Sequence, residues 1–285
     1  MEAATGVVNG AVGYVLGPGL IPQLLFLAVA LVAIYAAITI IERVVNEITR
    51  FDRQTAVLFK DTTPTQQTIV QEPDSGSALI YNSMNEVNGM EFSYSMYVYI
   101  NPETFELAGA APIAGAPRLK HIFHKGNKDP FPLLAPGLFV ESNKNTLRLY
   151  MNSMTRWDNY VTIPNIPVGK WFHLVITLKG KYLDVYVNGN VTVRHVFDVV
   201  PKLNYGNVYV MSPTRFPADG TAAPDGFKVD GAMKGMVSRL KYYAFALNYS
   251  QIDTLYREGP SKVIVSQSYT EVPPYFRDDW WVTKY

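Results

Sequence analysis

GKWFHLVITLKGKYLDVYVNG, residues 169–189, is the stretch whose reading decides the fold. Phe172, Leu174, Ile176 and Leu178 share one face of an extended chain, while Trp171, His173, Val175 and Thr177 share the other. That is the period of a strand, not of a helix. A second alternation follows, with Leu183, Val185 and Val187 opposed to Tyr182, Asp184 and Tyr186. Lys179-Gly180-Lys181 supplies the turn between the two. Asn188-Gly189 suits a type I′ turn into a third strand, because both central positions of that turn need positive φ. The stretch predicts a β-meander.

The spacing Gly169-x-Trp171-x-His173, followed by Gly180-x-x-Leu183-x-Val185-Tyr186-Val187-Asn188-Gly189, resembles the laminin-G-like branch of the concanavalin A-like jelly rolls. A second block runs from Gly235 to Tyr243 and continues through Ala246-Leu247-Asn248, Gln251-Ile252 and Leu255-Tyr256. It looks like the closing strand and short helix of the same family. The resemblance implies a mainly β fold, a two-sheet antiparallel jelly-roll sandwich over residues 78–262. Further strands are expected around Ala78–Tyr81, Phe92–Ile100, His121–His124, Leu138–Glu141, Leu147–Asn152, Tyr160–Ile163, Val208–Met211 and Met236–Phe245. Asn248 with Gln251 three residues on forms a capping box, and Gly259-Pro260 stops the helix, so a short helix is expected over Tyr249–Glu258.

Ahead of the sandwich, Leu24–Ile41 holds 18 consecutive residues without a charge, and Leu20–Gln23 extends the run. About 20 residues at 1.5 Å each cover a hydrocarbon core of ~30 Å, so 20–41 is read as a transmembrane helix anchored by Leu24, Phe26, Leu31, Ile34 and Ile41. The rival reading is a cleaved signal peptide, which calls for a basic segment before the apolar run. Residues 1–19, read as an N-terminal tail, contain no Lys or Arg. Arg43, Arg50, Arg53 and Lys60 follow the run, so the positive-inside bias places the β domain of this single-pass chain on the cytosolic side. The absence of cysteine agrees with a reducing compartment. Two sequons, at Asn190 and Asn248, point the other way, but Asn248 is accounted for as a helix cap.

Val44, Val45, Ile48 and Phe51 recur at helical spacing, making 42–60 an amphipathic juxtamembrane stalk able to pack on lipid, a partner or another copy. Residues 61–77, DTTPTQQTIVQEPDSGS, read as a linker. Two long Gly/Ala/Pro-rich insertions, 102–117 and 213–231, are candidate contact surfaces. Residues 263–285 form an aromatic tail in which Tyr275, Phe276, Trp280 and Trp281 are candidate partner contacts, since such side chains gather at interfaces.

The net charge of +1 gives no electrostatic footprint for nucleic acid. No catalytic constellation emerges. His121 and His124, three apart on an expected strand, fall on opposite faces, and His173 reads as a structural hydrogen-bonded histidine. The glucanase relatives carry Glu-x-Asp-x-x-Glu on one strand; neither Glu86/Glu91 nor Asp225/Asp230 repeats that spacing, so no hydrolase activity is expected. No cofactor is expected either. Asp219, Asp225 and Asp230 share one loop with the oxygen chemistry of a calcium site but without an ordered ligand spacing. Trp157, Asp158, Asn159 and Tyr160 are the best local set for a glycan platform, against the plainer reading of a turn around one buried tryptophan.

The expected function is that of a non-catalytic, membrane-anchored structural or protein-interaction module. Its expected partners are the lipid membrane and neighbouring structural proteins, with self-association as a further possibility. The layout is similar to membrane-anchored minor capsid proteins of large DNA viruses, which tie a virion inner membrane to a capsid shell. That similarity makes a membrane-to-capsid tether the leading expectation and a cell-surface carbohydrate-binding lectin the alternative.

Overall fold

The structure is a computed structural model, and it describes residues 19–83, 86, 89–105, 118–217 and 226–265. The chain divides after Arg53 into two units. The first holds helix α1, Leu20–Arg53, within which Gln23–Val45 is long and apolar enough to cross a membrane. Those 23 residues rise about 35 Å, and none of the apolar window is buried in protein. Leu24, Phe26, Leu31, Ile34 and Ile41 are all exposed. The Thr39 hydroxyl donates to the Ala36 carbonyl, which satisfies it inside the helix.

The second unit is a mainly β sandwich. Its strands are β1 (Thr55–Thr63), β2 (Gln67–Ile69), β3 (Glu91–Ile100), β4 (Leu119–Gly126), β5 (Leu134–Glu141), β6 (Leu147–Tyr150) and β7 (Tyr160–Ile163). They continue as β8 (Trp171–Lys179), β9 (Tyr182–Val187), β10 (Asn190–Val196), β11 (Asn207–Val210), β12 (Arg215–Phe216), β13 (Val229–Ala232) and β14 (Gly235–Tyr243), followed by helix α2 (Tyr249–Glu258). One sheet has the order β1-β14-β3-β8-β9-β10, all antiparallel. The other runs β12-β13-β4-β5-β6-β7, with β11 pairing β4 and β2.

The meander forms as its alternation predicts. Phe172, Leu174, Ile176 and Leu178 meet Leu183 and Val185 in the main core between the sheets. The opposite face is also covered: Val175 and Tyr186 pack with Tyr243, Phe245, Leu247, Ile252 and Leu255, so α2 lies on the outside of the first sheet. Asn188 (φ 52°) and Gly189 (φ 78°) take the positive dihedrals that the turn into β10 requires. Helix α2 spans the expected residues, with Asn248 and Gln251 in a reciprocal capping box. His173 is buried, its Nε2 2.9 Å from Ser95 Oγ.

The start of the domain differs from expectation. Helix α1 runs to Arg53, and the remainder of the expected stalk, together with residues 61–63 of the expected linker, becomes edge strand β1 paired with β14. Apolar periodicity misses this strand because two of its buried residues are threonines. Thr62 bonds Ser238 Oγ at 3.0 Å and the Ser261 carbonyl at 2.7 Å. Its backbone also bonds Val263 and Val265, so the last described residues zip onto β1. Within the same expected linker, Gln67–Ile69 forms β2 on β11. Conversely, Ala78–Tyr81 forms no strand. The Gln71 side chain holds it instead, donating to the Ala78 carbonyl and accepting from the Ile80 amide.

Of the two long insertions, 106–117 and 218–225 lie outside the described residues. The described flanks of the second fold over the outer face of the second sheet. There Phe216, Phe227 and Val229 join Leu119, Leu134, Phe139, Tyr150, Phe131 and Trp157 in a separate aromatic-rich cluster.

If packing rather than capping holds α2 on the sheet, Ile252→Ala is expected to cost about 2–5 kcal/mol. Asn248→Ala should cost only about 1 kcal/mol. Denaturant unfolding of the full chain in detergent measures both, and equal losses would contradict that order.

Candidate functional site

Among the described residues, two clefts open on the sandwich. The first lies where edge strands of the two sheets approach, at the start of β7 and the end of β10. It has a volume of about 250 Å³ and is lined by Arg156, Asp158, Asn159, Tyr160, His195, Val196, Phe197 and Asp198. A serine-centred turn shapes one wall: Ser153 Oγ accepts the Arg156 amide at 3.0 Å, and the Ser153 amide donates to the Arg156 carbonyl at 2.7 Å. Arg156 then grips Asp158 with two bonds of 3.1 and 2.8 Å, and this pairing holds the Asp158 carboxyl below its ordinary pKa.

Tyr160 is positioned from behind. The Arg148 guanidinium sits 4.8 Å from its ring centre, and the Tyr150 ring lies 5.1 Å away. Arg148 is in turn bound by Glu141, a fully buried carboxylate that also meets Lys144 at 3.1 Å. This places three of the four residues of the expected glycan platform in one cleft. Trp157 is not among them. Its ring packs edge-on to Phe131 (4.9 Å) and Phe227 (5.4 Å) in the outer cluster. Trp157 is half-buried there, packed against the cluster rather than enclosed by it. His195–Asp198 escaped sequence reading because they arrive from a different strand with no local signal.

The second cleft, about 530 Å³, was not legible in sequence. Gly126, Asn127, Lys128, Asp129, Phe131, Gly206, Asn207 and Tyr209 line it. Its floor depends on two glycines. A Cβ on Gly206 would lie 2.3 Å from the Gly126 carbonyl oxygen, and one on Gly126 would lie 1.9 Å from that of Leu133. Behind Tyr209, the His124 ring stacks at 5.0 Å.

His121 and His124 do not fall on opposite faces. The β4–β5 register shifts between His121 and Phe123, and this irregularity between the two histidines returns both rings to one side. His121 Nε2 lies 2.7 Å from His124 Nδ1, and both residues are buried. Burial holds both rings neutral, His121 well below its ordinary pKa and His124 at about 4. Burial also lowers His173 to about 4. Nearby, Lys125 is buried with its ammonium on Asn204 oxygens, and burial lowers it to about 8.

Of the loop carboxylates with calcium chemistry, Asp219 and Asp225 lie outside the described residues. Asp230 is already committed to cations: Lys120 at 2.9 Å, Arg215 at 3.5 Å and Arg118 at 4.0 Å, with Lys120 chiefly responsible for lowering its pKa. Among the described residues no group of three or more His, Asp or Glu side chains is arranged to hold a metal ion. Tyr275, Phe276, Trp280 and Trp281 also lie outside the described residues.

A family model for the concanavalin A-like lectin/glucanases superfamily, of laminin-G type, matches residues 74–253, more than half of the chain. The chain belongs to this superfamily. The sandwich, its meander and its closing strand with α2 are accordingly a superfamily fold. Among solved structures, the chain is similar to the binding domain of botulinum neurotoxin serotype G, with 12% identity, a TM-score of 0.44, and coverage of 68% of this chain and 42% of that one. It is also similar to the serotype D ligand-binding domain in complex with N-acetylneuraminic acid (12% identity, TM-score 0.42, 68% and 46% covered). A Trypanosoma rangeli sialidase in complex with the inhibitor DANA gives 19% identity and a TM-score of 0.35, with 58% and 22% covered. The chain spans less than half the length of these solved chains. No curated protein matches it.

Removing Arg148 leaves a fully buried carboxylate without its main partner. Arg148→Ala is therefore expected to destabilise the sandwich by about 3–5 kcal/mol. The double variant Glu141→Leu/Arg148→Met should recover most of that loss. Denaturant midpoints of the two variants test this, and a double variant no better than the single one would refute it.

Proposed function

We propose that this chain is a membrane-anchored, non-catalytic binding module whose sandwich is tied to a lipid bilayer by α1 and engages neighbouring structural proteins. The observation that carries this reading is a fully exposed apolar helix joined to the edge strand of the sandwich with one residue, Gln54, between them. Leu24, Phe26, Leu31, Ile34 and Ile41 anchor the span, and the four basic residues that follow favour a cytosolic sandwich. A tether between a membrane and a protein shell, as in a minor capsid protein of a virion, is the assembly that this layout suits. The aromatic side chains at Tyr275, Phe276, Trp280 and Trp281 are its proposed contacts.

The charge state of the first cleft supports a non-catalytic role. Glycoside hydrolysis needs a carboxylic acid with a raised pKa. Asp158 is instead held ionised by Arg156.

A second reading, glycan binding, is favoured by a different observation. Both clefts place an aromatic ring, Tyr160 or Tyr209, among amide and carboxylate side chains, the mix that meets the apolar face and the hydroxyls of a sugar. In that reading Asp158, Asn159 and Tyr160 form the platform without Trp157.

Protease treatment of intact membranes tests the orientation. A cytosolic sandwich is digested from that side, whereas protection of residues 78–285 would overturn the proposal. Asn190 gives an independent readout, since it lies exposed at the start of β10 while Asn248 is occupied as a cap. No endoglycosidase-sensitive mobility shift is expected. Crosslinking in the native membrane should then recover structural proteins; recovery of glycan alone would favour the second reading.

A further inference from the structure

The two buried histidines form a hydrogen-bond chain whose direction is fixed by its ends. At one end His121 Nδ1 receives the Ser212 backbone N–H at 3.0 Å, so that nitrogen is an acceptor and the ring proton sits on Nε2. His121 Nε2–H then donates to His124 Nδ1 at 2.7 Å, which leaves the His124 proton on Nε2. At the other end His124 Nε2–H donates to the Asn127 carbonyl at 2.7 Å. Both rings are neutral and every ring nitrogen is used.

A third proton has no place in this chain. Placed on His121 Nδ1, it faces the Ser212 N–H, donor against donor. Placed on His124 Nδ1, it faces His121 Nε2–H, and the conflict is relieved only by moving the His121 proton to Nδ1, where it again faces Ser212. Wherever the pair is protonated, the Ser212 bond is the one lost.

Ser212 occupies a mechanically sensitive place. One edge of β4 is shared: β13 pairs in parallel with Leu119 and His121, and β11 pairs antiparallel with Phe123 to Gly126. The chain crosses between those neighbours at Met211 and Ser212. Met211 has φ 49°, a left-handed conformation costly for a side chain of its size. Two bonds hold it there, the Met211 amide to the Ile122 carbonyl at 2.8 Å and the Ser212 amide to His121. Beyond lies the two-residue strand β12, whose Phe216 stacks on Phe131 at 5.3 Å and packs on Phe227 at 5.9 Å.

We propose that the His121–His124 pair is an acid-sensitive latch: uptake of one proton breaks the Ser212 bond and releases Met211–Phe216, uncovering the Phe131, Trp157 and Phe227 layer on the outer face of the second sheet.

The surroundings oppose the charged form. His121 meets the Phe139 ring of β5 at 5.5 Å, the backbone amide of Met233 on its own carbonyl, and the backbone amide of Ser212 in the crossing segment, whose hydroxyl is taken up by Thr214 at 2.6 Å. His124 meets the Tyr209 ring of β11 and, from the loop after β4, the Asn127 carbonyl and the charge of Asp129. Asp129 favours a cation, but burial outweighs it and leaves His124 at about 4. Lys125, on the same strand, is bonded to Asn204. With the closed-state pKa below the ordinary 6.5, closure is fully favoured above pH 6.5 and lost as pH falls toward 4. One such histidine raises the open population about 25-fold between pH 7.5 and pH 5.

Hydrogen exchange of the full chain in detergent, read by mass spectrometry at both pH values with times scaled for intrinsic exchange, tests the latch. Peptides covering 211–217 are expected to lose protection about 25-fold at pH 5, while those covering β1, which contains no histidine, hold theirs. Unchanged protection at 211–217 overturns the proposal. In the double variant His121→Asn/His124→Asn neither side chain titrates, so the response should vanish; a full response there also overturns it. His173→Gln removes the other buried histidine and must leave the 211–217 response intact, which keeps the wild-type result decisive if the double variant does not fold.

Discussion

Nine uninterrupted pairs between β3 and β8, from Glu91 with Lys179 to Tyr99 with Trp171, form the spine on which the rest of the sandwich is assembled. The neighbouring ladders β1–β14, β14–β3 and β9–β10 each contain a register shift, as does β4–β5 across the core. The spine is buried on both sides. Phe92, Tyr94, Met96, Val98 and Ile100 face the main core with Phe172, Leu174, Ile176 and Leu178. On the reverse, Ser93 Oγ bonds the Phe245 carbonyl and receives the Leu247 amide, and Tyr97 Oη receives the Gly259 amide, which locates α2 over the sheet. Slipping this pair by one residue would turn every one of these side chains to the wrong layer.

What was legible in the sequence follows from how local the deciding interactions are. The meander and α2 rest on neighbours within about ten residues: alternation, a positive-φ turn and a reciprocal cap. β1 carries no strand alternation because two of its three buried residues are threonines, and the Thr62 hydroxyl is satisfied by Ser238 and Ser261 far along the chain. A regular strand would put His121 and His124 on opposite faces, and the bulge that prevents this leaves no mark in the residue pattern. The candidate platform was half legible: Asp158, Asn159 and Tyr160 line the cleft, while Trp157 turns the other way to pack on Phe131 and Phe227.

The outer faces of the two sheets are used differently. Helix α2 closes the first with aliphatic and aromatic side chains and a capped start. On the outer side of the second, Phe216 of β12, Phe227 and Val229 of β13 build an aromatic-rich layer with Phe131 and Trp157. Both clefts border elements of the second sheet, apart from the β3–β8 spine.

The zip between Thr62 and residues 263–265 has a consequence for biosynthesis. Strand β1 leaves the ribosome before the rest of the sandwich, but its partners are β14 and residues 263–265, roughly 180 to 200 residues later. At about 5–20 residues per second, the edge strand waits on the order of ten seconds or longer for its ladder. During that interval Thr55–Thr63 presents unpaired backbone to whatever lies nearby, and this edge of the sandwich cannot close until residues 263–265 have been made. A strand made early is among the last to be paired.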